Sequence, residues 1–181
     1  GYTTVINSLG TQLKKQVMRA RAGASVYVAE NGIRERCFEG VGGTGGYEIL
    51  QSEAANKIGI TAAEQAVKLL TAKSAPSGKF TVVMDPKLVG VFVHEAYGHA
   101  CEADKVIAGA SILEGKVGEK MGRDSVTVVD DPSVKGLYGS YSFDDEAVES
   151  RKISIIHVGM LESFLHTRET AAEMNTNPTG S

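Results

Sequence analysis

The 181 residues are 42% hydrophobic and 23% charged, enough apolar content for one domain of ordinary size or the touching parts of two. A net charge of -3 and a pI near 5.8 argue against a nucleic-acid-binding surface, which shows as a basic excess. The two cysteines, Cys37 and Cys101, make no disulfide framework, and no apolar run approaches the about 20 residues that cross a bilayer, so the expected setting is cytoplasmic, reducing and off the membrane.

In chain order, residues 3–7 are a short β-branched run closed by a turn at Ser8-Leu9-Gly10. Residues 11–21 are ambiguous: Leu13, Val17 and Ala20 have helical spacing, yet the segment leads into Ser25-Val26-Tyr27-Val28, a strand. Asn31-Gly32 between two strand-like runs predicts a tight hairpin, because both residues tolerate positive φ. Gly40, Gly42, Gly43, Gly45 and Gly46 read as a flexible connector; no helix opening on Lys-Ser/Thr follows to make them a phosphate loop. A helix is predicted from Thr61, where Thr61 and Glu64 form a capping box and Ala63, Ala66, Val67 and Leu70 a narrow apolar face, ending near Ala72. The break at Ser74-Ala75-Pro76-Ser77-Gly78 divides a β-rich layer with its capping helix, 1–74, from a second region, 75–181.

Residues 79–84 read as a buried strand, and Asp85-Pro86 as a helix start, since Asp caps and Pro lacks an N–H that the first turn does not need. Residues 109–122 are glycine-rich loop, 125–129 a strand closed by Asp130-Asp131-Pro132, and 136–143 irregular before the acidic Asp144-Asp145-Glu146. Residues 152–157 and 160–166 predict a second hairpin around Val158-Gly159, and 170–174 a helical turn. The fold class expected is α+β, a largely antiparallel sheet or sheets with covering helices.

Chemistry concentrates between His94 and Asp104, which hold two of the four histidines together with Glu95, Glu102 and Asp104. On a regular helix Leu88, Val91, Phe92, Glu95, His99 and Glu102 share one stripe that starts as core and continues as Glu, His, Glu. A carboxylate does not follow Phe into an interior unpaired, and a metal ion would supply the partner. The competing reading is a helix whose far end emerges into solvent with ordinary exposed side chains. His94 and His99 are five residues apart, which places them ~140° apart on a helix turning about 100° per residue. A regular helix cannot aim both at one ion. A shared metal therefore requires an inserted residue, a π-bulge or a distortion at Gly98, so the motif helix is expected to be irregular there. His157 and His166 read as edge-strand or solvent-facing, and 144–146 as solvated loop.

His94-Glu95-Ala96-Tyr97-Gly98-His99, followed by Glu102 and Asp104, resembles the H-E-x-x-x-H signature of the TldD/PmbA family, regarded as zinc-dependent peptidases and historically called modulators of DNA gyrase. Asn7-Ser8-Leu9-Gly10, the helix from Thr61, Val128-Val129-Asp130-Asp131, the 139–146 stretch and Asn177-Pro178-Thr179-Gly180 are similar to further family blocks, so the resemblance covers nearly the whole chain. The motif places it with the TldD-like branch, because the PmbA/TldE branch generally lacks it. The resemblance implies His94 and His99 as zinc ligands and Glu95 as the general base activating a metal-bound water, in hydrolysis of peptides or unfolded proteins. It also implies a third ligand, a cysteine from a later part of the family's chain, which neither Cys37 nor Cys101 matches; Glu102 and Asp104 stand as auxiliary candidates. On this reading 75–181 begins the catalytic domain, and the chain, which lacks an initiating Met, is a piece of a longer protein that forms a homo-oligomer or pairs with a TldE/PmbA-type subunit. Two alternatives stay open: a truncated non-catalytic scaffold that serves in assembly, and a regulator associated with DNA gyrase without direct nucleic-acid contact.

Overall fold

A computed structural model describes all 181 residues, which separate into two compact units. One comprises Gly1, Gln16–Thr81 and Lys135–Ser140; the other comprises Tyr2–Lys15, Val82–Val134 and Tyr141–Ser181. Strands β1 (Tyr2–Ile6), β2 (Gln12–Gln16), β3 (Arg19–Glu30) and β4 (Ile33–Thr44) come first, followed by helices α1 (Glu53–Leu69) and α2 (Pro86–Val93). A π-helical turn (His94–Gly98) continues α2, and α3 (Ala103–Ile107), β5 (Val128–Asp130), β6 (Ile153–His157), β7 (Met160–Leu161) and α4 (Arg168–Glu173) complete the chain. The β3–β4 pair and the β5-β6-β7 sheet are antiparallel, and the class is α+β as expected.

The first unit is built on the β3–β4 hairpin. Its turn is Asn31-Gly32, with φ of 49° and 83°, the double positive φ that matches the twist of the flanking strands. Burial alternates along β3, so Ala20, Ala22, Ala24, Val26 and Val28 share the more buried face. Helix α1 packs on this hairpin with Ala62 and Ala66 fully buried, because small side chains on both surfaces let the backbones approach closely. On the other face Arg21 and Arg36 lie over the rings of Phe38 and Tyr27, at 5.9 and 5.5 Å.

Three expectations fail between Gly40 and Met84. Gly40, Gly42 and Gly43 are not a connector but lie in β4, paired with Gly23, Arg21 and Ala20. At Gly43 a Cβ would come within 2.7 Å of the Gly136 carbonyl oxygen, so the glycine there serves a close backbone approach. Helix α1 begins at Glu53 rather than Thr61, because Ser52 is the cap: its Oγ accepts the Ala55 N–H at 3.2 Å. Thr61 is therefore interior, and the buried face runs through Ala62 and Ala66 while Val67 is 56% exposed. Residues 79–84 form no strand; Phe80, Val82 and Val83 stand exposed, since no partner strand pairs with them.

The second unit opens with the β1–β2 hairpin. Asn7 closes its turn by accepting the N–H groups of Leu9 and Thr11 at its Oδ1, at 3.0 and 3.2 Å. Its core joins Cys101, Ala103, Val106 and Leu113 to Ile155, Ile156, Leu161 and Phe164. The second hairpin turns at Val158-Gly159 as expected, although β7 is two residues long. Leu88, Val91 and Phe92 do not continue this core. They are 53%, 57% and 54% exposed, because α2 packs closely only on the π-turn that continues it.

Candidate metal centre

Asp85 starts α2 by accepting the Leu88 N–H at 3.0 Å, with Pro86 in the first turn, as the sequence predicts. The helix stays regular as far as His94, whose N–H reaches the carbonyls of Gly90 and Val91. It then widens. The N–H of His99 donates to the carbonyl of His94, an i→i+5 bond that takes up the additional residue in the histidine spacing. His99 is thereby brought beside His94 in an edge-to-face arrangement, with ring centroids 4.5 Å apart and planes inclined at 66°. The distortion expected near Gly98 is present, but it does not use glycine's freedom: Gly98 has φ -52° and ψ -57°, ordinary right-handed helical values.

What fixes the turn is the packing beneath it. Tyr97 points inward, packs on the core and donates its hydroxyl to the Met121 carbonyl at 3.3 Å. Cys101 is fully buried two residues after His99. The Cys101 carbonyl accepts the Leu165 N–H at 2.8 Å, and the Ala103 N–H donates to the Leu165 carbonyl at 3.0 Å, so the backbone is tied on both sides of Glu102. With these residues turned inward, His94 and Glu95 are exposed and His99 half-buried.

One donor atom from each of His94, Glu95 and His99 lies within 4.8 Å of the others. Donors on a tetrahedral zinc with bonds of about 2.0–2.1 Å sit ~3.4 Å apart, so modest side-chain torsions bring this trio to that spacing. The two imidazoles suit zinc, and a carboxylate beside them can either complete the donor set or serve as a base next to the ion. Around His99 the two ring nitrogens have different neighbours: Nε2 lies 3.8 Å from Glu95 Oε2, and Nδ1 lies 2.7 Å from Glu102 Oε1. The other Glu102 oxygen is 2.5 Å from Lys105 Nζ. The hydrogen bond from Lys105 holds the Glu102 carboxyl below the usual carboxylate range; burial opposes it, and a weaker hydrogen bond from His99 adds to the lowering.

The remaining candidates lie elsewhere. Asp104 is exposed and accepts the backbone N–H of Lys105 at 2.8 Å. Burial pushes the Cys101 thiol up to about 11, so it stays protonated and is no thiolate donor. His157 is exposed; His166, expected at an edge or in solvent, is 5% exposed and packs its ring against Phe164. The acidic 144–146 stretch is engaged in its own turn and in α4. Asp144 Oδ1 accepts the N–H groups of Glu146 and Val148, and Glu146 Oε2 accepts the Arg168 N–H at 2.7 Å. Sequence reasoning missed Lys105, although its i,i+3 spacing from Glu102 was a usable sign.

The profile of the PmbA/TldA metallopeptidase C-terminal domain matches residues 77–181, and that of the family's central domain matches residues 1–70. A metalloprotease of Methanothermobacter thermautotrophicus is 42% identical over 175 residues, which is 97% of this chain and 38% of that protein. A zinc metalloprotease TldD homolog of Saccharolobus solfataricus is 31% identical over 117 residues, covering 63% of this chain and 26% of its own length. Among solved structures, a candidate modulator of DNA gyrase from Thermotoga maritima superposes with a TM-score of 0.80 at 27% identity, over 99% of this chain and 40% of that one. The chain thus spans about two-fifths of the proteins it matches. With its paired histidines on a π-turn and both domain profiles matched in order, this chain belongs to the PmbA/TldA metallopeptidase family.

Proposed function

We propose that His94 and His99 hold a zinc ion and that Glu95 is the general base for hydrolysis of peptide bonds in peptides or unfolded chains. The observation that carries this reading is the π-turn, which brings both imidazoles and the Glu95 carboxylate within 4.8 Å of one another. Zinc, when bound, supplies Lewis acidity that makes water a competent nucleophile near neutral pH. Glu95 Oε2 lies 3.8 Å from His99 Nε2, on the side of the ring turned away from Glu102. From there it accepts the proton of the attacking water and returns it to the leaving amine. Using Glu95 as a ligand would leave the trio without a base, so the third protein ligand comes from outside it.

Zinc titration of the chain and peptidase assays of the full-length protein test this. Glu95→Gln should retain zinc and lose activity by about 10²–10⁴-fold, the usual contribution of a general base. Full activity in that variant sinks the role of Glu95, and unchanged zinc affinity in His99→Ala sinks the ligand assignment.

A further inference from the structure

The geometry points to Glu102 and Lys105 as positioning residues: they hold His99 in the Nδ1–H tautomer, leaving the lone pair on Nε2, the nitrogen nearer Glu95. The purpose of this lock rests on the metal reading above, but the lock itself belongs to the metal-free chain.

A neutral imidazole has one donor and one acceptor nitrogen, and its neighbours decide which is which. Two groups compete for Nδ1. Glu102 Oε1 is 2.7 Å away and Lys105 Nζ is 3.3 Å away. An ionised carboxylate is an acceptor only, so the first contact requires a proton on Nδ1. If Lys105 donated to Nδ1 instead, the proton would sit on Nε2 and remove the nitrogen nearest Glu95 from ligation. Distance favours Glu102, since 2.7 Å is the charge-assisted range whereas 3.3 Å is beyond the usual N–H···O limit of about 3.2 Å. Lys105 also lies 2.5 Å from the second Glu102 oxygen, which accepts its N–H hydrogen bond, so the ammonium is engaged there and the carboxylate is held in place.

The lock is mounted on a fixed base. Glu102 sits between the buried Cys101 and Ala103, whose backbones bond Leu165 on either side. The Lys105 N–H donates to the Glu102 carbonyl at 3.1 Å, tying lysine and glutamate into one turn. Carboxylate–histidine pairs of this kind orient metal-binding imidazoles and raise their basicity.

Long-range ¹⁵N NMR of the metal-free chain at a pH where imidazole is neutral reads the tautomer directly. The expected result is a pyrrole-type Nδ1 and a pyridine-type Nε2 at His99, with the preference lost in Glu102→Ala and kept in Glu102→Gln, which retains an acceptor oxygen. Lys105→Met should weaken the preference without inverting it. Chelator-competition titration should show zinc affinity falling about 10–100-fold in Glu102→Ala and less in Glu102→Gln. A pyridine-type Nδ1 in the wild-type chain overturns the proposal, as does a Glu102→Ala variant with unchanged tautomer and affinity. Should Glu102→Ala not fold, the wild-type spectrum and Lys105→Met decide. Zinc binding with the opposite tautomer removes the lock and leaves the metal reading; the expected tautomer without zinc binding does the reverse.

Discussion

At His99 the useful fact is the difference between its nitrogens: one meets a lysine-held carboxylate at 2.7 Å and the other lies 3.8 Å from Glu95. Its neighbour Gly98 matters less than its place in the motif suggests. A Cβ at Gly98 would sit 3.5 Å from His94 Nδ1, an ordinary contact, and the backbone there is helical. Gly98→Ala should therefore keep its circular dichroism spectrum and bind zinc within about threefold of wild type, under 1 kcal/mol; loss of binding would show that glycine is required. The buried His166 sets a pH dependence. Its pKa is pulled below the ordinary histidine value by burial, which penalises the imidazolium. Between that depressed value and the unfolded value of about 6.5, the unfolded chain holds a proton that the folded chain does not. The stability this residue contributes is thus intact above pH ~6.5 and is lost as pH falls through the folded pKa. Urea midpoints of wild type should drop across that window more steeply than those of His166→Gln; parallel profiles would refute the assignment.

Among the elements, helix α1 shows how a good local signal can mislead. Thr61 and Glu64 have capping-box spacing, yet the helix is capped by Ser52, nine residues before Thr61, with the Glu53–Lys57 ion pair at its start. Gly59 in between weakens helix propensity and hid the continuation. A Cβ there would meet nothing within 4 Å, so Gly59→Ala should stabilise the chain by about 0.5–1 kcal/mol in urea denaturation. No gain would mean that the helix frays before that point. The motif helix is the opposite case. A five-residue spacing cannot place two side chains on one α-helical face, so, granted one metal shared by both histidines, the irregularity could be deduced from the sequence. Its form, an i→i+5 bond from His99 to His94, could not.

For the molecule, each unit has its own support: a hairpin backed by an alanine-faced helix, and a core around Ile156 and Leu161, 0% and 1% exposed. Ile156→Ala should cost about 2–5 kcal/mol, read as a lowered urea midpoint; a loss well under 1 kcal/mol would mean that the site collapses to fill the cavity. The sequence alone determined the features set by neighbours along the chain. These are the Asn31-Gly32 turn, the Asp85-Pro86 helix start, the Val158-Gly159 turn, and the gathering of donors from His94 to Glu102. Each depends on φ preferences, a missing N–H or a fixed residue spacing, all local quantities. Tertiary structure decided the rest. It made Gly40–Gly43 a strand because β3 lies beside them, left 79–84 unpaired, kept Leu88, Val91 and Phe92 exposed, and buried His166. It also brought Leu165 against Cys101 and Ala103, fixing the backbone from which Glu102 reaches His99. Strand pairing and burial are properties of a residue's partners, and those partners lie far away in the sequence.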